Sequence, residues 1–176
     1  MYPFIRLAKE IALNRRRPPL AMGDVHVTHL RAWPFDIDPF LDLNNGRILT
    51  LMDLGRMGYF VRAGIPQVLK QRGWYGTVAG TTVRYRKRIT AMQKIELRTR
   101  LLGWDHRFIY FDQAIWRVED CCAHAVIRTA ITTGKGFVPP GEVAEAMGYD
   151  PASPLLPDWV LAWDSAEKQR PWPPER

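Results

Sequence analysis

Phe35-Asp36-Ile37-Asp38-Pro39-Phe40-Leu41-Asp42-Leu43-Asn44-Asn45-Gly46 sets carboxylates a few residues ahead of an asparagine-capped helix. The helix that follows, Gly46 to Ala63, carries Ile48, Leu49, Leu51, Met52, Leu54, Met57, Tyr59, Phe60 and Val61 on most of its sides, the pattern of a helix surrounded by protein. Asn44 or Asn45 can cap its start, and Gly64 followed by Pro66 stops it. Gly55 and Gly58 lower its intrinsic propensity but permit close backbone approach. A helix start presents unpaired N–H groups and the positive end of the macrodipole. A carboxylate beside it can attack, or direct water at, a carbonyl whose oxygen those N–H groups polarise, which points to acyl-transfer chemistry. Asp-Pro and Asn-Asn-Gly are also ordinary turn and cap residues, so the same stretch has a purely structural reading.

Outward from this stretch the period changes. Upstream, Val25 to Trp33 reads as a strand. Downstream, after a short helical turn near 68–72, Thr77–Ile89, Gln93–Leu102, Arg107–Val118 and Cys121–Thr133 read as four more. Ile95, Leu97, Thr99 and Leu101 alternate with Lys94, Glu96, Arg98 and Arg100, whereas Phe108 to Trp116 is apolar on both faces, as a central strand is. Gly103-Trp104-Asp105 and Glu119-Asp120 are short enough to be hairpin connections. Strand, long buried helix, then antiparallel meander gives an α+β class, a curved antiparallel sheet wrapped around one helix.

At 176 residues, with 47% apolar residues and seven Trp, the chain fits one globular domain with flanking extensions. Residues 1–23 hold an amphipathic helix (2–13) and the basic linker Arg15-Arg16-Arg17; residues 24–134 form the folded domain; residues 135–176 are a Pro- and Trp-rich C-terminal extension with short helices near 142–147 and 158–163. The basic residues follow the apolar ones of 2–13, so a secretory signal is disfavoured. That helix reads as packed, with weak membrane-surface contact as the alternative. No run approaches the roughly 18 apolar residues a transmembrane segment needs. The two adjacent cysteines, Cys121 and Cys122, supply neither a disulfide framework nor a zinc site, and a reducing, cytoplasmic setting is expected. The net charge of +7 invites an anionic partner.

These blocks, in this order, resemble the hot-dog-fold acyl-CoA thioesterases of the hydroxybenzoyl-CoA thioesterase type. The resemblance rests on Asp36-Ile37-Asp38, then Asn44-Asn45, then Arg47-Ile48-Leu49, and on Val83-Arg84-Tyr85-Arg86-Lys87-Arg88-Ile89 followed by Leu101-Leu102-Gly103-Trp104-Asp105. It covers roughly residues 24–133. It implies a hot-dog fold, hydrolysis of an acyl-CoA to free acid and coenzyme A, no cofactor and no metal. It places Asp38 on the family's catalytic carboxylate, as nucleophile or general base, and Asn45 on the residue whose N–H polarises the thioester carbonyl, with Asn44 beside it. It also implies a homodimer or homotetramer with sites between subunits, and exposed edges of the expected sheet give an independent reason to pair.

Departures from the family pattern are informative. Relatives often read Gly-His where this chain has Leu41-Asp42. No His follows Asp38 in the loop, which disfavours the hydratase chemistry of the same fold. Another branch uses a helix carboxylate, for which Asp53 is the candidate, although Asp53 is also placed to pair with Arg56. Strand periodicity puts Arg84, Arg86 and Arg88 on one face, suited to the phosphates of coenzyme A or simply solvated. Thin aromatic interleaving argues against nucleic acid. His26 and His29 read as strand-surface residues with opposite facing; His106 and His124 read as exposed and packed. No histidine has a Ser or Cys partner at a hydrolase spacing. The alternative to an enzyme is a non-catalytic acyl-binding module of the same fold, or a basic surface protein binding an anionic partner.

Overall fold

Two-residue alternation drives the second half of the chain into long strands, and short turns make consecutive strands neighbours. The computed structural model describes residues 2–174. In chain order the elements are α1 (Phe4–Asn14), β1 (His26–Arg31), a 3-10 turn (Pro34–Asp36), α2 (Asn45–Ala63), α3 (Ile65–Arg72), β2 (Tyr75–Tyr85), β3 (Lys94–Trp104), β4 (Ile109–Arg117), β5 (Asp120–Thr133), β6 (Gly136–Val138), α4 (Pro140–Ala146) and α5 (Asp158–Gln169). The sheet runs β1-β3-β4-β5-β2, every pair antiparallel, with β6 paired to the end of β5. The strand that is apolar on both faces, β4, is the central one.

The sheet's inner face packs on α2. Leu51, Met52 and Leu54 meet Leu97, Ile115, Ala125 and Ile127 in one buried cluster. Each such side chain contributes roughly 1.5–3 kcal/mol on burial. The two interior glycines make this contact possible: a Cβ on Gly55 would lie 2.3 Å from Leu97 Cδ2, and one on Gly58 2.4 Å from His26 Nε2. α1 lies against α2 and adds Leu7 to the same cluster. On the outer face, Val160 of α5 is buried against Tyr110 and Val126, with Trp163 packed beside them.

Several boundaries differ from the pattern reading for identifiable reasons. Gly64 ends α2 in the left-handed conformation (φ 77), but Pro66 sits in the first turn of α3, where its missing N–H is harmless, so that helix begins at Ile65. β2 stops at Tyr85, not Ile89, because the Arg86 and Lys87 N–H groups both donate to the Cys122 carbonyl, at 2.8 and 3.2 Å. One acceptor for two successive donors ends the alternation. Arg84, Arg86 and Arg88 therefore do not form a single strand face. His26 is fully buried, not at a strand surface, with its Nε2 2.9 Å from Thr28 Oγ1 and Nδ1 3.3 Å from Arg62 Nη1. Burial, reinforced by Arg62 and Arg17, pushes its pKa down to about 4. The C-terminal extension packs on both sides of the sheet: β6 and α4 at one end of α2, α5 on the outer face.

Candidate active site

The loop before α2 is a small hairpin held by its own backbone hydrogen bonds. Asn44 N donates to Asp36 O at 3.0 Å, Ile37 bridges Leu43, and Asp38 N donates to Asp42 O at 2.8 Å. Each carboxylate in the loop has a distinct task. Asp36 is fully buried and bonded to Arg6 (2.8 Å), Arg47 (2.7 Å) and the Trp33 N–H (3.0 Å). Burial alone would raise its pKa, but the bonds from Arg6, Trp33 and Arg47 outweigh that and hold it below the usual carboxylate range. Asp42 accepts from Leu43 N (2.8 Å) and Ile89 N (2.9 Å), stitching the loop to the segment after β2. Arg88 belongs to this stitch, donating to the Phe40 carbonyl and lying 3.5 Å from Asp42.

Asp38 differs from both. Its Oδ1 accepts from Phe40 N (2.9 Å) and Asp42 N (3.3 Å), which fixes the carboxylate to its turn, while Oδ2 has no partner among the described residues. Leu41, which follows this turn, has φ 60, a left-handed conformation that costs an L-residue about 1–2 kcal/mol. A glycine would adopt it freely.

At the helix start, Asn44 is the cap: its Oδ1 accepts from Gly46 N (2.9 Å) and Arg47 N (3.2 Å). Asn45 is therefore the first helical residue, and its N–H has no partner among the described residues. Asp38 and Asn45 lie on one hairpin-to-helix segment, and no hydrogen bond joins them. Arg84 and Arg86 are exposed at the end of β2.

A second feature lies farther along α2. A cavity of about 180 Å³ opens between its C-terminal half, the inner face of β3, β4 and β5, and α4. Asp53 and Arg56 are its charged lining residues; Phe60, Leu101, Phe111 and Ile131 are among its apolar ones. Asp53 pairs with Arg56 at 2.6 Å, as their spacing predicts, and accepts a hydrogen bond from the Tyr2 hydroxyl. Arg56, itself buried, also donates to Gln113 Oε1 (3.0 Å), and Gln113 Nε2 donates to Met52 O (2.7 Å) and Thr99 Oγ1 (2.8 Å). Pattern reading gives the Asp53–Arg56 pair but not its extension to Tyr2 and Gln113. The available signal is Gln113 itself, a single polar residue on the inner register of β4 between Phe111 and Ile115. Asp38, Asn44, Asn45, Arg84, Arg86 and Arg88 do not line the cavity. Among the described residues no group of three or more His, Cys, Asp or Glu side chains is placed to hold a metal, and no helix is long and apolar enough to cross a membrane.

A single helix held in a curled antiparallel sheet, with a carboxylate loop at the helix start, is the architecture of hot-dog thioesterases. The sequence profile of the thioesterase-like superfamily matches residues 20–163, and the chain belongs to that superfamily. Among curated relatives it is 31% identical over 140 residues to the THEM6 protein of Xenopus laevis, covering 77% of this chain and 67% of that one. The match to the THEM6 protein of Danio rerio, 31% over 101 residues, covers 57% of this chain and 50% of that protein. The fold is similar to that of YbaW, a probable thioesterase from Escherichia coli (TM-score 0.66, 16% identity, 69% of this chain and 96% of that one). It is likewise similar to a DHNA-CoA thioesterase from Staphylococcus aureus (TM-score 0.60, 14% identity, 82% and 91%).

Proposed function

We propose that this chain hydrolyses an acyl-CoA thioester to a free acid and coenzyme A, with Asp38 as the reacting carboxylate and the Asn45 N–H as oxyanion donor. The observation that carries the reading is a pair of groups at one junction, Asp38 Oδ2 and Asn45 N–H, that are without partners among the described residues, in a chain of the thioesterase-like superfamily. Asp38 either attacks the carbonyl carbon, forming an acyl anhydride that water then hydrolyses to the free acid, or takes a proton from a water that attacks the carbon and supplies the acid's oxygen. The carbonyl oxygen gains charge toward the Asn45 N–H and the helix dipole, the C–S bond breaks, and the thiolate leaves as coenzyme A. Asn44 holds the helix start in place and stands beside the substrate. Thiol release from a panel of acyl-CoAs of different chain length tests this. Turnover of at least one member supports it; tight binding without turnover assigns the chain to the non-catalytic reading.

Arg84 and Arg86 are the exposed arginines left for the phosphates of coenzyme A, since Arg88 is tied to the loop. Replacing both by Gln should raise KM roughly three- to tenfold, the scale of two exposed charge contacts, with little change in kcat. Added salt should weaken the wild type more than the variant. Unchanged KM and salt response would leave these arginines a solvated surface.

The assembly proposed is a homodimer or homotetramer. β2 is an edge strand with Tyr75, Val78 and Tyr85 exposed, a surface that a second copy would cover. Sedimentation at micromolar concentration should give a multiple of 20.3 kDa; a species of 20.3 kDa would contradict it.

A further inference from the structure

We infer that α4 forms the end stop for the acyl group, and that the substrate class is acyl thioesters with long, neutral, hydrophobic tails. The inference rests on the reading of Asp38 and Asn45 as the reacting end. The cavity is lined mostly by apolar side chains, with the hydroxyl-bearing Thr77, Thr129 and Tyr149 among them and charge only at Asp53 and Arg56. Its charged residues, Asp53 and Arg56, neutralise each other, and Arg56 is further satisfied by Gln113, so nothing there is free to pair with an ionised tail. An unpaired charge placed in such a space is heavily disfavoured. Asp53 lies eight residues beyond Asn45, about 12 Å along the helix at 1.5 Å per residue. A carbonyl held at the Asn45 N–H reaches the cavity of its own chain only through an extended tail. Short or compact aromatic acyl groups end before it.

The far wall comes from outside the helix and the long strands. Val143 and Ala144 of α4, each 5% exposed, line the space with Ile131, and Met147 lines it beside them. A residue that enlarges this wall shortens the space left for the tail. A second position serves the same purpose from the sheet: Gly76 lines the cavity, and a Cβ there meets Ile131 Cδ1 at 3.6 Å, ordinary contact.

Two measurements on Ala144→Leu and Gly76→Val test the inference, each on protein shown folded by thermal unfolding. The first is the ratio of kcat/KM for a long-chain acyl-CoA to that for a short-chain one. It should fall about tenfold or more in either variant, as pockets that discriminate by methylene groups do. An unchanged ratio in both overturns the inference. The second is calorimetric binding of dodecanol, which needs no turnover: the wild type should bind it and both variants should bind it more weakly. No binding to the wild type, or equal binding by all three, overturns the inference. If no acyl-CoA is hydrolysed, the hydrolytic reading fails while dodecanol binding still decides the role of the cavity. If Ala144→Leu does not fold, Gly76→Val carries both measurements.

Discussion

Asp36→Asn is expected to destabilise the fold by about 3–5 kcal/mol, the cost of removing one partner from a buried ion pair. Asp36 is fully buried and shared by Arg6 and Arg47, whose side chains are 16% and 19% exposed. Asparagine keeps the shape and can still accept from the Trp33 N–H, but it removes the charge that both guanidinium groups face. Arg6 also ties α1 to the loop, so the loss reaches the helix lying along α2. The pH dependence follows from the depressed pKa of Asp36. Its stabilisation is fully present above the unfolded carboxylate value near 3.9 and is lost as pH falls through the lower folded value. Urea unfolding of wild type and variant, at neutral pH and through the acid range, checks both points. A difference below about 1 kcal/mol at neutral pH would show that the arginines are satisfied without this carboxylate.

Elements governed by local chemistry were legible in the sequence. α2 was, because its apolar residues, its Asn cap and Gly64 all agree, and Gly55 and Gly58 mark where the sheet comes close. The central position of β4 followed from its two apolar faces. Elements governed by long-range pairing were not legible. Nothing near Arg86 and Lys87 signals that they share the Cys122 carbonyl, because that acceptor lies on another strand. His26 looks like any alternating polar residue until Gly58 and Asn14 are placed over it. α4 is short, and its place beside the cavity comes from long-range packing.

The same division runs through the loop. Asp36, Asp38 and Asp42 look alike in sequence, and their hydrogen bonds separate them. Two are consumed in structure, and Asp38 alone keeps an oxygen without a partner among the described residues. The choice of Asp38 came from resemblance, and the bonding pattern supplies a physical reason for it. Asp53, the other candidate, carries a clear structural duty toward Arg56 and Tyr2 while lining the cavity.

Asp38→Asn retains the acceptor oxygen that holds Phe40 and Asp42, so the loop should keep its shape. The amide is neither nucleophile nor base, and kcat should fall by about 10²-fold or more with acyl-CoA binding preserved. Asp53→Asn weakens the bonds to Arg56 and Tyr2 and should act chiefly on stability. Thiol release from the best acyl-CoA substrate by wild type, Asp38→Asn and Asp53→Asn, each confirmed folded, brings these expectations into one experiment. Turnover lost in Asp38→Asn and largely kept in Asp53→Asn is the expected result; near-normal turnover in Asp38→Asn, with activity abolished by Asp53→Asn, would contradict it and move the chemistry to the helix carboxylate.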